Sequence, residues 1–111
     1  MSVQKRNGAF GTQLRIPLSS VTYPEGDWWI AHCLELDVAA EGPTPSEAIG
    51  NVIDLVGLHI ATALEEGDIA SIFRPAPSEI WKMFWIGQEL TVRKKLPKMV
   101  DRFDAREVVL A

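Results

Sequence analysis

The fold is decided by residues 27–47, which read D-W-W-I-A-H-C-L-E-L-D-V-A-A-E-G-P-T-P-S-E. A bulky apolar run from Trp28 to Leu34 leads into the acidic bend Glu35-Leu36-Asp37 and then the small-residue run Val38 to Glu41. Alternation over the first run puts Trp28, Ile30 and His32 on one face and Trp29, Ala31 and Cys33 on the other. Both faces are largely apolar, so this strand is covered on two sides or presents one face to another chain. Gly42-Pro43 breaks the sheet, and Thr44-Pro45-Ser46-Glu47 opens a helix. Thr44 supplies the N-cap hydroxyl, Pro45 is pre-set for the first helical position, and Glu47 stands where a capping box needs it.

Downstream, Ile49, Val52, Ile53, Val56, Ile60, Ala63 and Leu64 form one stripe at helical spacing, and Gly67 supplies the stop. Burying the large members contributes on the order of 10 kcal/mol gross, before chain entropy is subtracted. Leu55 and Leu58 fall off the stripe. Upstream, Thr12 to Tyr23 alternates, with Leu14, Ile16 and Leu18 on one side and Gln13, Arg15 and Ser19 on the other. Pro17 lacks an N–H, so the strand is an edge there or the nitrogen faces away from the ladder. Pro24-Glu25-Gly26-Asp27 joins it to the next strand as a hairpin turn. Residues 1–11, polar and glycine-bearing, read as a lead-in.

Past the helix, Asp68 to Phe73 reads as a fourth short strand, and Arg74-Pro75-Ala76-Pro77 as a rigid connector. Ser78 is placed to cap a second helix ending near Gly87, and Phe103 to Leu110 reads as a terminal strand. The helical segment E-I-W-K-M-F-W-I has only Glu79 and Lys82 as polar residues. A short helix apolar nearly all round cannot satisfy itself against one core face. Trp81, Phe84 and Trp85, with the off-stripe Leu58, are therefore the expected surface for a partner or a second copy. The fold class is α+β: a small antiparallel sheet, β-β-β-α-β, with one long helix on a face. Residues 1–75 form that unit, and 76–111 add a helix–strand extension to the same domain.

Composition excludes several classes of function. A chain of 111 residues with 47% hydrophobic content builds one core. No apolar run approaches a bilayer span, and the start M-S-V-Q-K-R-N-G has no apolar signal region, so a cytoplasmic protein off the membrane is expected. The single cysteine, Cys33, has no internal partner and reads as a small buried hydrophobe. The net charge is −4. Residues 1–90 carry 12 acidic and 5 basic side chains, and residues 91–111 carry 3 and 6. An acidic body disfavours nucleic acid and favours basic partners. The basic cluster Arg93, Lys94, Lys95, Lys98 has no interleaved aromatic residue and reads as a solvated face.

No catalytic, metal-binding or cofactor-binding constellation emerges. His32 and Cys33 are strand neighbours pointing to opposite faces, so they cannot share a metal. His59 borders the helix stripe without a second ligand at helical spacing. Glu35, Asp37 and Glu41 could gather at one end of the sheet, as a weak cation site or as an acidic bend that meets a partner. The serines lack an obvious base, and the glycines form no phosphate-cradling loop.

The run W-I-A-H-C-L-E-L-D-V-A-A-E-G-P-T-P-S-E-A-I, leading into an aliphatic helix, resembles the HicB-type antitoxin domain over about residues 12–75. That resemblance implies a truncated ribonuclease-H-like fold without nuclease activity, since the first strand Q-L-R-I-P-L-S-S-V carries no carboxylate. It further implies a noncatalytic domain that occludes a small basic ribonuclease toxin. No helix-turn-helix or ribbon-helix-helix follows Gln88, so direct DNA binding is not expected. The alternative is a stand-alone homo-oligomeric scaffold or small-ligand binder with a pocket between Trp28 or Trp29 and the extension.

Overall fold

A computed structural model describes residues 15–109. The elements run β1 (Ile16–Glu25), β2 (Trp28–Cys33), β3 (Val38–Gly42), α1 (Pro45–Glu66), α2 (Ser78–Ile86), β4 (Gln88–Glu89) and β5 (Val100–Glu107), with a 3-10 turn at Ile69–Ile72 before α2. The strands form one five-stranded sheet in the order β3-β2-β1-β5-β4. The fold is α+β, as the sequence implies, but the sheet is mixed: β1 pairs antiparallel with β2 and parallel with β5. The segment 68–73, expected to be a strand, is instead the 3-10 turn. The expected lead-in over 1–11, the strand start at 12–14 and Leu110 lie outside the described residues.

Register explains which side chains meet. Ser20 lies opposite Cys33, Thr22 opposite Ala31, and Ala31 opposite Ala40, so these residues share the face under α1. Ile16, Leu18, Ala31 and Cys33 pack there against Ala48, Ile49, Val52, Ile53, Val56 and Ile60, with Phe103 and Ala105 from β5. By length and composition α1 could span a membrane. Its apolar stripe is spent on the sheet instead, with Val52 and Val56 fully buried.

The ends of α1 are set as its sequence reads. Thr44 Oγ1 accepts the Glu47 N–H at 3.1 Å, and Gly67, at φ 71°, donates its N–H back to Ala63 and Leu64. By contrast α2 starts without a side-chain cap: Pro77 occupies the cap position and Ser78 is already helical.

At Pro17 β1 is locally an edge on the β2 side, as expected. β2 reaches along β1 only to Ser20, and the β1–β5 register slips between Ile16 and Pro17, so the ladder asks no N–H of the proline. The second layer is α2, which covers the opposite sheet face above Val21, Leu34 and Val108. Because β5 lies between β1 and β4, the 76–111 segment completes the sheet of the first unit.

Candidate functional site

Strand β3 leaves open surface along one side of the sheet. Among the described residues this strand pairs with β2 only and forms one edge of the sheet. Which backbone groups face outward follows from alternation. Glu25 closes the hairpin opposite Trp28, and the Leu34 N–H donates to the Ser19 carbonyl, so Trp28, Ile30 and His32 hydrogen-bond towards β1. Trp29, Ala31 and Cys33 therefore bond towards β3, onto Gly42, Ala40 and Val38. Ala39 and Glu41 direct their N–H and C=O away from the sheet. The Glu41 carbonyl is taken by the Asn51 side-chain amide at 2.9 Å, which confirms the parity and caps that end of the edge.

Two depressions flank this edge. On the α1 side, an open cleft of about 610 Å3 is lined by Asp37, Val38, Leu58, Thr62, Glu66 and Arg74, among others. On the opposite face, a shallower one of about 320 Å3 is lined by Ile30, Ala39, Ala40 and Glu41. Trp28, on that same face, is 47% exposed.

The three carboxylates of the expected acidic bend do not act together. Glu35 accepts the Ser19 backbone N–H at 2.7 Å and so belongs to the sheet's own ladder. Asp37, held at φ 53°, accepts from His32 Nε2 at 2.7 Å, which fixes the imidazole tautomer. Glu41 is exposed beside the outer depression. Among the described residues, no group of three or more His, Cys, Asp or Glu side chains is placed to hold a metal ion.

The expected aromatic surface on α2 divides. Phe84 is 3% exposed and packs on Val21, Leu34 and Val108, so it belongs to the core and is not open to a partner. Trp81 is half-buried against the same cluster, whereas Trp85 is 65% exposed. Ile86, which the sequence reading passed over, is more exposed still. The reason is rotation: one helical position separates Phe84 from Trp85 and turns the second ring by about 100°. Arg106 fastens this helix end. Its guanidinium lies 4.2 Å from the Phe84 ring centroid and 5.6 Å from that of Trp85, and Nη1 donates to the Phe84 carbonyl. Nothing in the sequence around Arg106 announces this role, because the contact spans 22 residues and depends on β5 lying in the sheet's interior.

The remaining reactive candidates are occupied or isolated. Cys33 is buried under α1, and burial, reinforced by the Glu35 charge, pushes its thiol up to about 12. His59 lines the α1-side cleft. From the basic cluster, Lys94 pairs with Asp54 at 2.9 Å, laying the segment before β5 along α1. Leu58 is exposed at the rim of the α1-side cleft. The chain matches no protein-family model, no curated protein and no solved structure.

Proposed function

We propose that this chain is a noncatalytic protein-binding domain, similar in role to HicB-type antitoxins, that covers a small basic protein such as a ribonuclease toxin. The observation that carries this reading is the β3 edge, unpaired among the described residues, beside a half-bare sheet face bordered by carboxylates. Glu25, Asp27 and Glu41 are exposed around it, and the first 90 residues hold 12 acidic against 5 basic side chains. Such a surface attracts cationic partners and repels nucleic acid. The sequence resemblance described above supports the same role, and a cytoplasmic site of action belongs to the same proposal.

Co-expression with a small, lysine-rich protein encoded beside it, followed by calorimetry, tests the reading. A complex with micromolar or tighter affinity is expected. No association at tens of micromolar would remove the antitoxin role.

A second reading, self-association through α2, is favoured by the exposed Trp85 and Ile86 at the helix end. The charges near them are of both signs (Lys82, Glu89, Asp104 and Arg106), so two copies can approach without a like-charge barrier. Light scattering on the wild type and on Trp85→Ser/Ile86→Lys decides it. A dimer that becomes monomeric supports the reading, and a wild-type monomer at 100 µM-order concentration (roughly the range where weak dimers form) opposes it.

A further inference from the structure

The two depressions lie on opposite faces of one edge strand, and this arrangement suits a particular kind of ligand. An extended chain that adds to a sheet edge makes main-chain hydrogen bonds along the strand. It sends successive side chains alternately to the two faces. At β3 the outward-facing groups are the Ala39 N–H and C=O and the Glu41 N–H, about one pairing unit of an added strand. Side chains on one parity would enter the α1-side cleft, and those on the other would rest on Ile30 and Ala39. Asn51, by occupying the Glu41 carbonyl, stops the pairing there and so sets its register.

We propose that β3 binds an extended basic segment of a partner protein by strand addition, with alternate side chains seated in the two depressions. This rests on the protein-binding reading above and names its mode. The outer depression is apolar and shallow, and takes a side chain such as valine or leucine. In the α1-side cleft, Leu58 and Thr62 offer a wall for an aliphatic stem, and Glu66 offers a carboxylate beside Arg74, while the Asp37 carboxylate is held by His32. With Glu25, Asp27 and Glu41 exposed around the same edge, this site favours lysine or arginine, whose stem packs while the head stays among carboxylates.

A second copy of this chain is a poorer occupant. Pairing β3 with β3 in antiparallel fashion about Ala39 would bring Glu41 of one copy near Asp37 of the other, and like charges facing each other across strands are destabilising.

The test uses a displayed library of random ten-residue peptides, selected on the intact wild-type protein at physiological salt. Affinities of the enriched peptides are then measured on wild type, Ala39→Pro and Thr62→Trp. Proline at position 39 removes the outward N–H and leaves the bonds of Val38 and Ala40 to β2 in place. Tryptophan at the exposed position 62 fills the cleft without entering the core. The expected result is peptides alternating aliphatic and basic residues, bound at least tenfold more weakly by each variant whose melting temperature stays near wild type. Should Ala39→Pro fail to fold, the Thr62→Trp comparison and amide protection of Ala39 on peptide binding carry the same decision. Enriched peptides that bind both variants as well as wild type would overturn strand addition while leaving the protein-binding role standing. So would a library yielding no peptides while a basic protein still binds. If neither peptides nor a basic protein bind, both readings fall.

Discussion

The Glu35 carboxylate accepts the backbone N–H of Ser19 at 2.7 Å, taking the place in the ladder that the Leu34 carbonyl would otherwise fill. That carbonyl is diverted to the Ala76 N–H at 2.8 Å, which turns the connector between the 3-10 turn and α2 around the end of the sheet. One acidic side chain thus lets the chain cross from one face of the sheet to the other without orphaning a central-strand donor. Glu35→Ala leaves the Ser19 N–H unpaired at a part-buried position and should cost about 1–3 kcal/mol. Urea titration checks this. Because Glu35 works inside the fold, the same variant should bind a basic partner as wild type does once folded.

Gly42 and Ala48 are in close contact where β3 hands over to α1. A Cβ at position 42 would lie 2.5 Å from the Ala48 backbone nitrogen, and Ala48 itself is fully buried. Neither backbone can yield without unseating the helix cap. Gly42→Ala should therefore lose roughly 3 kcal/mol, and about 10 °C in melting temperature. Gly67→Ala makes an informative contrast, since its Cβ would meet nothing and only the left-handed backbone, φ 71°, resists. Its expected cost is nearer 1 kcal/mol. Calorimetric melting of the two variants gives the comparison.

Cys33 should be silent to thiol reagents in the native protein and reactive once the chain unfolds. Burial first, and the nearby Glu35 charge second, raise its thiol from an ordinary 9.0 to about 12. Below pH 9 the thiol is neutral folded and unfolded, and its contribution to stability is fully present. Between pH 9 and about 12 the unfolded chain ionises and the native one does not, so stability falls as pH rises through that window. Denaturation of Cys33→Ala and wild type across this range measures the difference: the wild type should show the steeper decline.

Two hydroxyls on β1, Ser20 Oγ and Thr22 Oγ1, are fully buried and have no hydrogen-bond partner among the described residues. They face the α1 layer beside Cys33 and Ala31. Replacing an unpaired buried hydroxyl with an apolar group of the same shape removes a desolvation cost. Thr22→Val should be neutral or stabilise by up to about 1 kcal/mol. A clear loss on thermal melting would show that the hydroxyl is bonded in solution.

How far the chain can be read in advance depends on the range of the interactions. The hairpin, the bend and the limits of α1 follow from local chemistry at Gly26, Thr44, Pro45 and Gly67, and all were legible. The parallel pairing of β1 with β5 was not, because Ile16 meets Val100 across 83 intervening positions and only tertiary packing selects that neighbour. Segment 68–73 misled for the opposite reason. Its short apolar pattern fits a strand, but Gly67 and the Asp68 N–H close the end of α1 so tightly that the chain continues as a turn, with Ser71 bonding back to Asp68. For α2, composition revealed an apolar surplus but could not say which ring faces in. Phe84 went to the core and Trp85 to the surface, one position apart. The edge at β3 was invisible until strand order was known.

Amide hydrogen exchange at Ala39 and Ala40, in dilute protein without a partner, tests most directly whether β3 is an open edge. These neighbours share solvent and chain position, but Ala40 bonds to β2 and Ala39 faces outward. The structure predicts Ala39 exchanging close to the unprotected rate and Ala40 slower by orders of magnitude. Equal, strong protection at both would mean that the edge is already covered in the free protein, and would contradict the account.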